Sequence, residues 1–222
     1  MLAATVQSQL ENTLVPSPSW NRLSQLVCKR AVDLLVSTFL LILLCPVFIV
    51  LALLVKLSSP GPVLYKWQVV GRNGVPLKSY KFRSMVMNAD ELKSQLVSRN
   101  EMRGPVFKLT ADPRVTPVGA WMRRYSLDEL PQLYSVLTGE MTLVGPRPPL
   151  RTEYVHFTEY QKQKLTVKPG ITCLWQVNGR NEVKDFDDWV SLDLEYIRRF
   201  SLWLDLAILL RTVGAVFSGS GK

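Results

Sequence analysis

The sequence predicts a helix-dominated α+β domain with an N-terminal re-entrant membrane helix hairpin and interfacial amphipathic helices. Three observations predict it. Leu34 to Val55 contains no charged residue, Pro46 interrupts that run near its middle, and the remaining chain mixes strand-forming stretches with helical spacing. At 222 residues and 47% hydrophobic content, there is room for one globule plus a membrane element, but not for a second large domain. The net charge of +9 fits an anionic partner without choosing among nucleic acid, acidic headgroups and a phosphorylated substrate. Cys28, Cys45 and Cys173 are scattered and odd in number, so neither a disulfide framework nor a thiolate metal site is expected, and the bulk of the protein should face a reducing cytosol. His156 is the sole histidine, which excludes a multi-histidine metal centre.

Residues 1–28 read as a flexible N-terminal tail, punctuated by Pro16-Ser17-Pro18-Ser19. The expected membrane helix covers 29–57. Its apolar run meets the usual requirement of about 20 residues for a span and starts too far from Met1 for a secretory signal. Pro46 removes a backbone donor and clashes with the preceding turn, dividing the run into arms 34–45 and 47–55. At 1.5 Å per residue each arm reaches only about 14–18 Å, roughly half of a ~30 Å hydrocarbon core. Arg22, Lys29 and Arg30 precede the run and Lys56 and Lys66 follow it, so both flanks look cytoplasmic. A re-entrant helix accommodates both facts, and a simple kinked span is the alternative. Ser37 and Thr38 are candidates to bond the freed carbonyls, and Asp33 is expected to pair with Lys29 or Arg30.

The cytosolic domain is expected over 58–222. Ser59-Pro60-Gly61-Pro62 turns the chain out of the membrane into a strand over 63–70, and Asn73-Gly74 offers a tight turn to a second strand over 77–82. Helices are expected over 88–99, 128–137, 153–165 and 186–199, with loop and short extended pieces over 101–117. Residues 201–217 are apolar but contain Trp203, Asp205 and Arg211, which suits a membrane-surface helix, with a buried core helix as the alternative.

The chemistry concentrates on Asp128 and Glu129. Ser126-Leu127-Asp128-Glu129 matches a capping box, yet Pro131 then falls where a helical donor is already needed, so a helix starting one or two residues later is preferred. That leaves both acids at a helix N-terminus, which favours anions, and pointing about 100° apart, so they should do different jobs: one nucleophile and one metal ligand. Arg147 is held on a stiff strut by its flanking prolines in Gly145-Pro146-Arg147-Pro148-Pro149 and suits bidentate phosphate recognition. Lys81 and Arg83 alternate on one strand face, and Arg123 and Arg124 stand just ahead of the acids. Each basic residue alone reads as a surface charge; converging on Asp128 they would neutralise a diphosphate. Pro169-Gly170 can form a type II turn, and Trp175, Gln176 and Arg180 are candidates to stack on or bond a nucleotide, with core packing equally open for Trp175. No Walker loop or Gly-x-Gly-x-x-Gly run occurs.

Together, Lys81-Phe82-Arg83-Ser84-Met85, the Asp128-Glu129 segment, Val144-Gly145-Pro146-Arg147-Pro148 and Lys168-Pro169-Gly170-Ile171-Thr172 closely resemble the bacterial sugar transferase family, the monotopic phosphoglycosyl transferases. The likeness runs from about Lys29 to Phe217. It implies a re-entrant helix at the bacterial inner (cytoplasmic) membrane, with the catalytic domain facing the cytoplasm. It also implies transfer of a sugar phosphate from a UDP-sugar to undecaprenyl phosphate with release of UMP. Asp128 would attack the β-phosphorus to form an acyl phosphate, and Glu129, with Asp128, would hold Mg²⁺. Arg147, Lys81 and Arg123 match the family's phosphate-binding residues, and Asp193 matches a further active-site acid. Arg103-Gly104-Pro105-Val106-Phe107-Lys108 looks like the exopolysaccharide-priming branch, whose long members carry extra N-terminal membrane helices that this chain is expected to lack. By that analogy the sugar is glucose or galactose. The chain departs from the pattern at Trp67-Gln68-Val69, where many members show Gln-x-Arg, and at Cys173, where a small residue is common. The competing reading is a non-catalytic adaptor that binds acidic lipid or a partner protein through its basic face. The apolar run argues against nucleic acid, and a homodimer is left open.

Overall fold

In the computed structural model, residues 20–179 and 183–219 are described. Helix α1 (Trp20–Leu43) meets α2 (Cys45–Ser58) at a 62° bend. The break falls at Leu44, two residues ahead of Pro46, because proline is at home in the first turn of a helix, where its missing N–H has no partner to lose. α1 also starts at Trp20 rather than 29, so 20–28 is helix and not tail; the rest of the expected tail lies outside the described residues. No single helix among the described residues is long and apolar enough to cross a membrane, whereas the bent pair together is. The outer faces of the pair expose Leu35, Phe39, Ile42, Ile49, Leu53 and Leu57.

Asp33 corrects an expectation. It does not pair with its helix neighbours: its carboxylate accepts from Thr142 Oγ1 at 2.6 Å and from the Leu143 amide at 3.0 Å. Lys29 instead donates to Asp205 at 2.6 Å and to the Val144 carbonyl at 2.8 Å, and Arg30 donates to the carbonyls of Val136 and Leu137 at 2.6 and 2.9 Å. Ser37 bonds the Leu34 carbonyl, within the unbroken part of α1, rather than a carbonyl freed by Pro46.

Strands β1 (Leu64–Val70) and β2 (Pro76–Phe82) form an antiparallel hairpin, with Tyr65 opposite Lys81 and Trp67 opposite Ser79. Asn73 and Gly74 both take positive φ, 56° and 78°, as a tight turn between twisted strands requires. Helices α3 (Ala89–Leu96), α4 (Pro117–Arg124) and α5 (Gln132–Leu137) follow. The expected helix over 128–137 is split by Pro131: a 3-10 turn over Leu127–Glu129 precedes α5. The expected helix over 153–165 is likewise two single turns, Arg151–Tyr154 and Glu159–Lys162, and a 3-10 turn over Gln163–Thr166.

β3 (Thr142–Val144) pairs in parallel with β4 (Gly170–Thr172), a sheet the sequence did not announce. Gly170 is not the positive-φ corner of a type II turn. It is glycine because a Cβ there would sit 2.1 Å from the Gly145 amide nitrogen. α6 (Phe186–Arg199) matches the expected range. α7 (Leu202–Ser218) turns Asp205 and Ile208 inward and exposes Trp203, Leu206, Leu210, Val213 and Phe217, an apolar stripe spaced three and four residues apart, so it is a surface helix and not a buried core helix. The main core joins Trp67 and Val69 to Val136, Leu143, Trp175, Trp189 and Ile197, while a second core packs Leu51 and Val55 of α2 on Phe82 and Met122.

Candidate active site

Asp128 and Glu129 are 7% and 6% exposed and line a cavity of about 950 Å³. The turn that presents them is wound tightly by its first residue. Ser126 adopts a left-handed conformation, φ 54° and ψ 22°, and makes no side-chain cap, so the capping-box reading fails. A non-glycine residue held there costs on the order of 1 kcal/mol or more, and such outliers concentrate at functional sites.

Three of the five basic residues singled out by sequence converge on the pair. Lys81 Nζ donates to Glu129 Oε1 at 2.7 Å, and Arg147 Nη1 donates to the same oxygen at 2.9 Å. Arg123 at the end of α4 donates to Ser84 Oγ at 2.9 Å and faces Asp128 electrostatically. Of the other two, Arg124 borders the cavity with its guanidinium near the Tyr125 ring, and Arg83 also borders it but spends its donors on carbonyls. β2 ends at Phe82, and the Arg83 guanidinium bonds the carbonyls of Ser59 at 2.8 Å, Val55 at 3.4 Å and Pro60, closing the C-terminal end of α2.

Trp67 is a residue the sequence reading passed over as a site member. Its ring lies 3.5 Å from Lys81 Nζ and 5.3 Å from the Arg147 guanidinium, a platform under both cations. The signal was present in the strand alternation, which puts Trp67 and Tyr65 on the face of Lys81. Burial pushes Lys81 down to about 8, with Glu129 opposing the shift. Burial also lowers Arg123, against the pull of Asp128. For Arg147 burial acts downward, but Glu129 outweighs it and the group rises above the ordinary arginine value.

The remaining expected site residues are placed differently. Trp175 borders the cavity, yet its ring stacks on Trp189 with centroids 3.9 Å apart and is 3% exposed, which favours the core reading over nucleotide stacking. Gln176 accepts from the Cys173 thiol at 3.3 Å and does not border the cavity, and Arg180 lies outside the described residues. Burial pushes that thiol up to about 12, so Cys173 is packing rather than a nucleophile. Asp193 does not border the cavity either. It is fully buried in a 2.6 Å ion pair with Lys164, which does, and burial raises its carboxyl against the pull of Lys164. No local pattern marks Lys164, since its burial beneath Trp189 and Phe186 is a product of tertiary packing.

The donor set bears on a metal. Among the described residues no group of three or more His, Cys, Asp and Glu is placed to hold an ion. Two adjacent carboxylates fit a hard, oxygen-seeking Mg²⁺ shared with substrate phosphates and do not fit an all-protein cage.

Comparisons with known proteins bear on the family to which the chain belongs. The profile of the bacterial sugar transferase family matches residues 24–219. The chain is 42% identical over 205 residues to "Galactosyl transferase CpsE" of Streptococcus agalactiae, covering 92% of this chain and 45% of that protein. It is 44% identical over 193 residues to the "UDP-glucose:undecaprenyl-phosphate glucose-1-phosphate transferase" of Escherichia coli, covering 83% and 39%. To the "Exopolysaccharide production protein ExoY" of Rhizobium meliloti it is 39% identical over 200 residues, 88% of each. The chain thus spans less than half the length of the first two relatives and most of the third.

Proposed function

We propose, for a chain that belongs to the bacterial sugar transferase family, a membrane-bound phosphoglycosyl transferase. It moves a hexose 1-phosphate from a UDP-sugar to undecaprenyl phosphate and so starts assembly of an exopolysaccharide repeat. The observation behind this reading is the buried acid pair met by Lys81, Arg123 and Arg147 in one large cavity. Relatives named for undecaprenyl-phosphate sugar transfer and exopolysaccharide production point the same way.

Asp128 takes the attacking role that the resemblance to the family implies, while one oxygen of Glu129 is held by Lys81 and Arg147. A carboxylate oxygen of Asp128 bonds to the β-phosphorus of the donor, the bond from that phosphorus to the bridging oxygen breaks, and UMP departs with the electron pair. Lys81, Arg123 and Arg147 balance the charge on the phosphoryl oxygens, and their positions, fixed in advance by Trp67 and Ser84, avoid reorganisation during the step. In the second half, a phosphate oxygen of the acceptor attacks the same phosphorus and the Asp128 carboxylate leaves, restored. Asp128 and Glu129 would hold Mg²⁺, which when bound supplies further neutralisation of the diphosphate and the departing UMP.

The bent apolar pair suits a re-entrant hairpin with both ends on the cytoplasmic side, and the stripe of α7 suits the plane of the same leaflet. The enzyme would then sit on the inner membrane with its cavity facing the cytoplasm, where UDP-sugars are found. Intact-mass analysis after mixing with UDP-glucose or UDP-galactose, without acceptor, should show a hexosyl phosphate adduct on the peptide that carries Asp128. Absence of the adduct under rapid quench, with turnover persisting in Asp128→Asn, rejects the covalent route.

A further inference from the structure

We infer that Leu64, Tyr65 and Met87 form a subsite for the first isoprene units of a polyprenyl phosphate. The inference rests on the proposed acceptor chemistry and adds to it where the lipid lies. These three side chains border the cavity that holds the acid pair, and they are 44%, 42% and 60% exposed. In β1, Leu64, Tyr65 and Lys66 are all exposed while the far half packs in the core; Tyr65 lies on the face of Lys81 and Leu64 on that of Phe82, so the two stand on either side of the strand.

The hairpin register supplies the path. Along one face of the hairpin, Lys81 contacts Glu129, Tyr65 stands directly opposite Lys81, and two residues further along the chain Arg83 grips the carbonyls that end α2. Two residues of extended chain span about 7 Å. The residues that touch the acid pair and the end of α2 are therefore one strand step apart, with Tyr65 and Leu64 on the strand beside them. Lys56 Nζ bonds the Gly61 carbonyl at 3.4 Å, and Met87 closes over Gly61, so this apolar lip is fastened to the helix pair. An acceptor phosphate brought to Asp128 has its chain leave the cavity on the side from which the membrane is reached. Leu64, Tyr65 and Met87 are the apolar surface it meets.

A photoreactive geranyl phosphate added to the full chain in detergent should crosslink within residues 59–88 whether or not donor is present; labelling elsewhere overturns the inference. The double variant Leu64→Gln, Met87→Gln should raise KM about tenfold or more for both geranyl phosphate and the C55 acceptor. Exchange of labelled UMP into UDP-sugar, which needs no acceptor, is the internal reference for each preparation. An unchanged acceptor KM overturns the subsite. So does a rise confined to the C55 acceptor in vesicles, which would make the lip a bilayer contact. If the wild-type chain shows no UMP exchange, the proposed reaction fails, while the crosslink still decides the subsite.

Discussion

Two clusters of charge stand beside the strands of this molecule, and they are partnered differently. At the root of α1, Lys29, Arg30 and the nearby Lys168 stand with Asp33 and Asp205, and both acids are satisfied within the fold. Asp33 accepts from Thr142 and Leu143, Asp205 accepts from Lys29 and Tyr196, and Arg30 closes the end of α5. In the cavity, Lys81, Arg123 and Arg147 face Asp128 and Glu129 around a space of about 950 Å³. A cluster whose acids are met by the fold holds a helix in place. One whose cations gather around open space suits an anion from outside.

The comparison breaks most sharply at the carboxylates. Asp128→Asn should lower UMP release from UDP-sugar by on the order of 10³-fold or more while leaving thermal unfolding nearly unchanged, because the lost group acts on the transition state. Residual turnover above a few per cent would place the nucleophile elsewhere. Asp33→Ala should do the reverse. It strands the Thr142 hydroxyl and the Leu143 amide in a site that is 4% exposed, at a cost of about 3 kcal/mol read as a lower unfolding temperature, with turnover per folded molecule preserved. An equal loss of turnover would mean that the anchor is part of the site.

Lys81 belongs to the cavity by contact, yet it should report on both activity and stability, with opposite signs. Its folded value is depressed to about 8 from 10.5 by burial. Below about pH 8 it is cationic and, in the proposed reaction, would hold the donor diphosphate. Above that, donor KM should rise by up to about tenfold per pH unit, and Lys81→Arg should abolish that limb. Between about 8 and 10.5 the unfolded chain binds the proton that the folded chain has lost, so the Lys81 contribution to stability rises with pH over the same window in which donor binding falls. Parallel pH profiles of donor KM and unfolding temperature test the pairing. A flat KM profile removes Lys81 from the phosphate site.

How much of this was legible follows from how local each signal is. Asp128, Glu129, Lys81 and Arg147 were legible because adjacency, strand alternation and flanking prolines act within a few residues. So were α6, whose period is clean, and the turn at Asn73-Gly74. The bend was legible in kind but not in place, since Pro46 ends one helix by starting the next at Cys45. What the sequence hid depends on meetings between distant segments. Asp33 finds Thr142 and Leu143 more than a hundred residues away, Lys164 is buried by Phe186 and Trp189, and Gly145 and Gly170 are glycines because two three-residue strands touch. None of these leaves a pattern in its own neighbourhood.

Arg83 is where the two kinds of signal conflict, and its substitution gives the smallest and sharpest test. Alternation from Lys81 assigns it to the phosphates; the end of β2 at Phe82 and three carbonyls around Ser59 assign it to the end of α2. Arg83→Met keeps the length of the side chain and removes its donors, at an expected cost of about 1–2 kcal/mol of stability from the unmet carbonyls. Donor KM should stay within about twofold of wild type, since no phosphate contact is lost. A donor KM raised as far as in Arg147→Met, with unfolding unchanged, would return Arg83 to the site and make its grip on α2 incidental. With the fall confined to stability, Arg83 is a tie between the hairpin and α2, added to the packing of Leu51 and Val55 on Phe82.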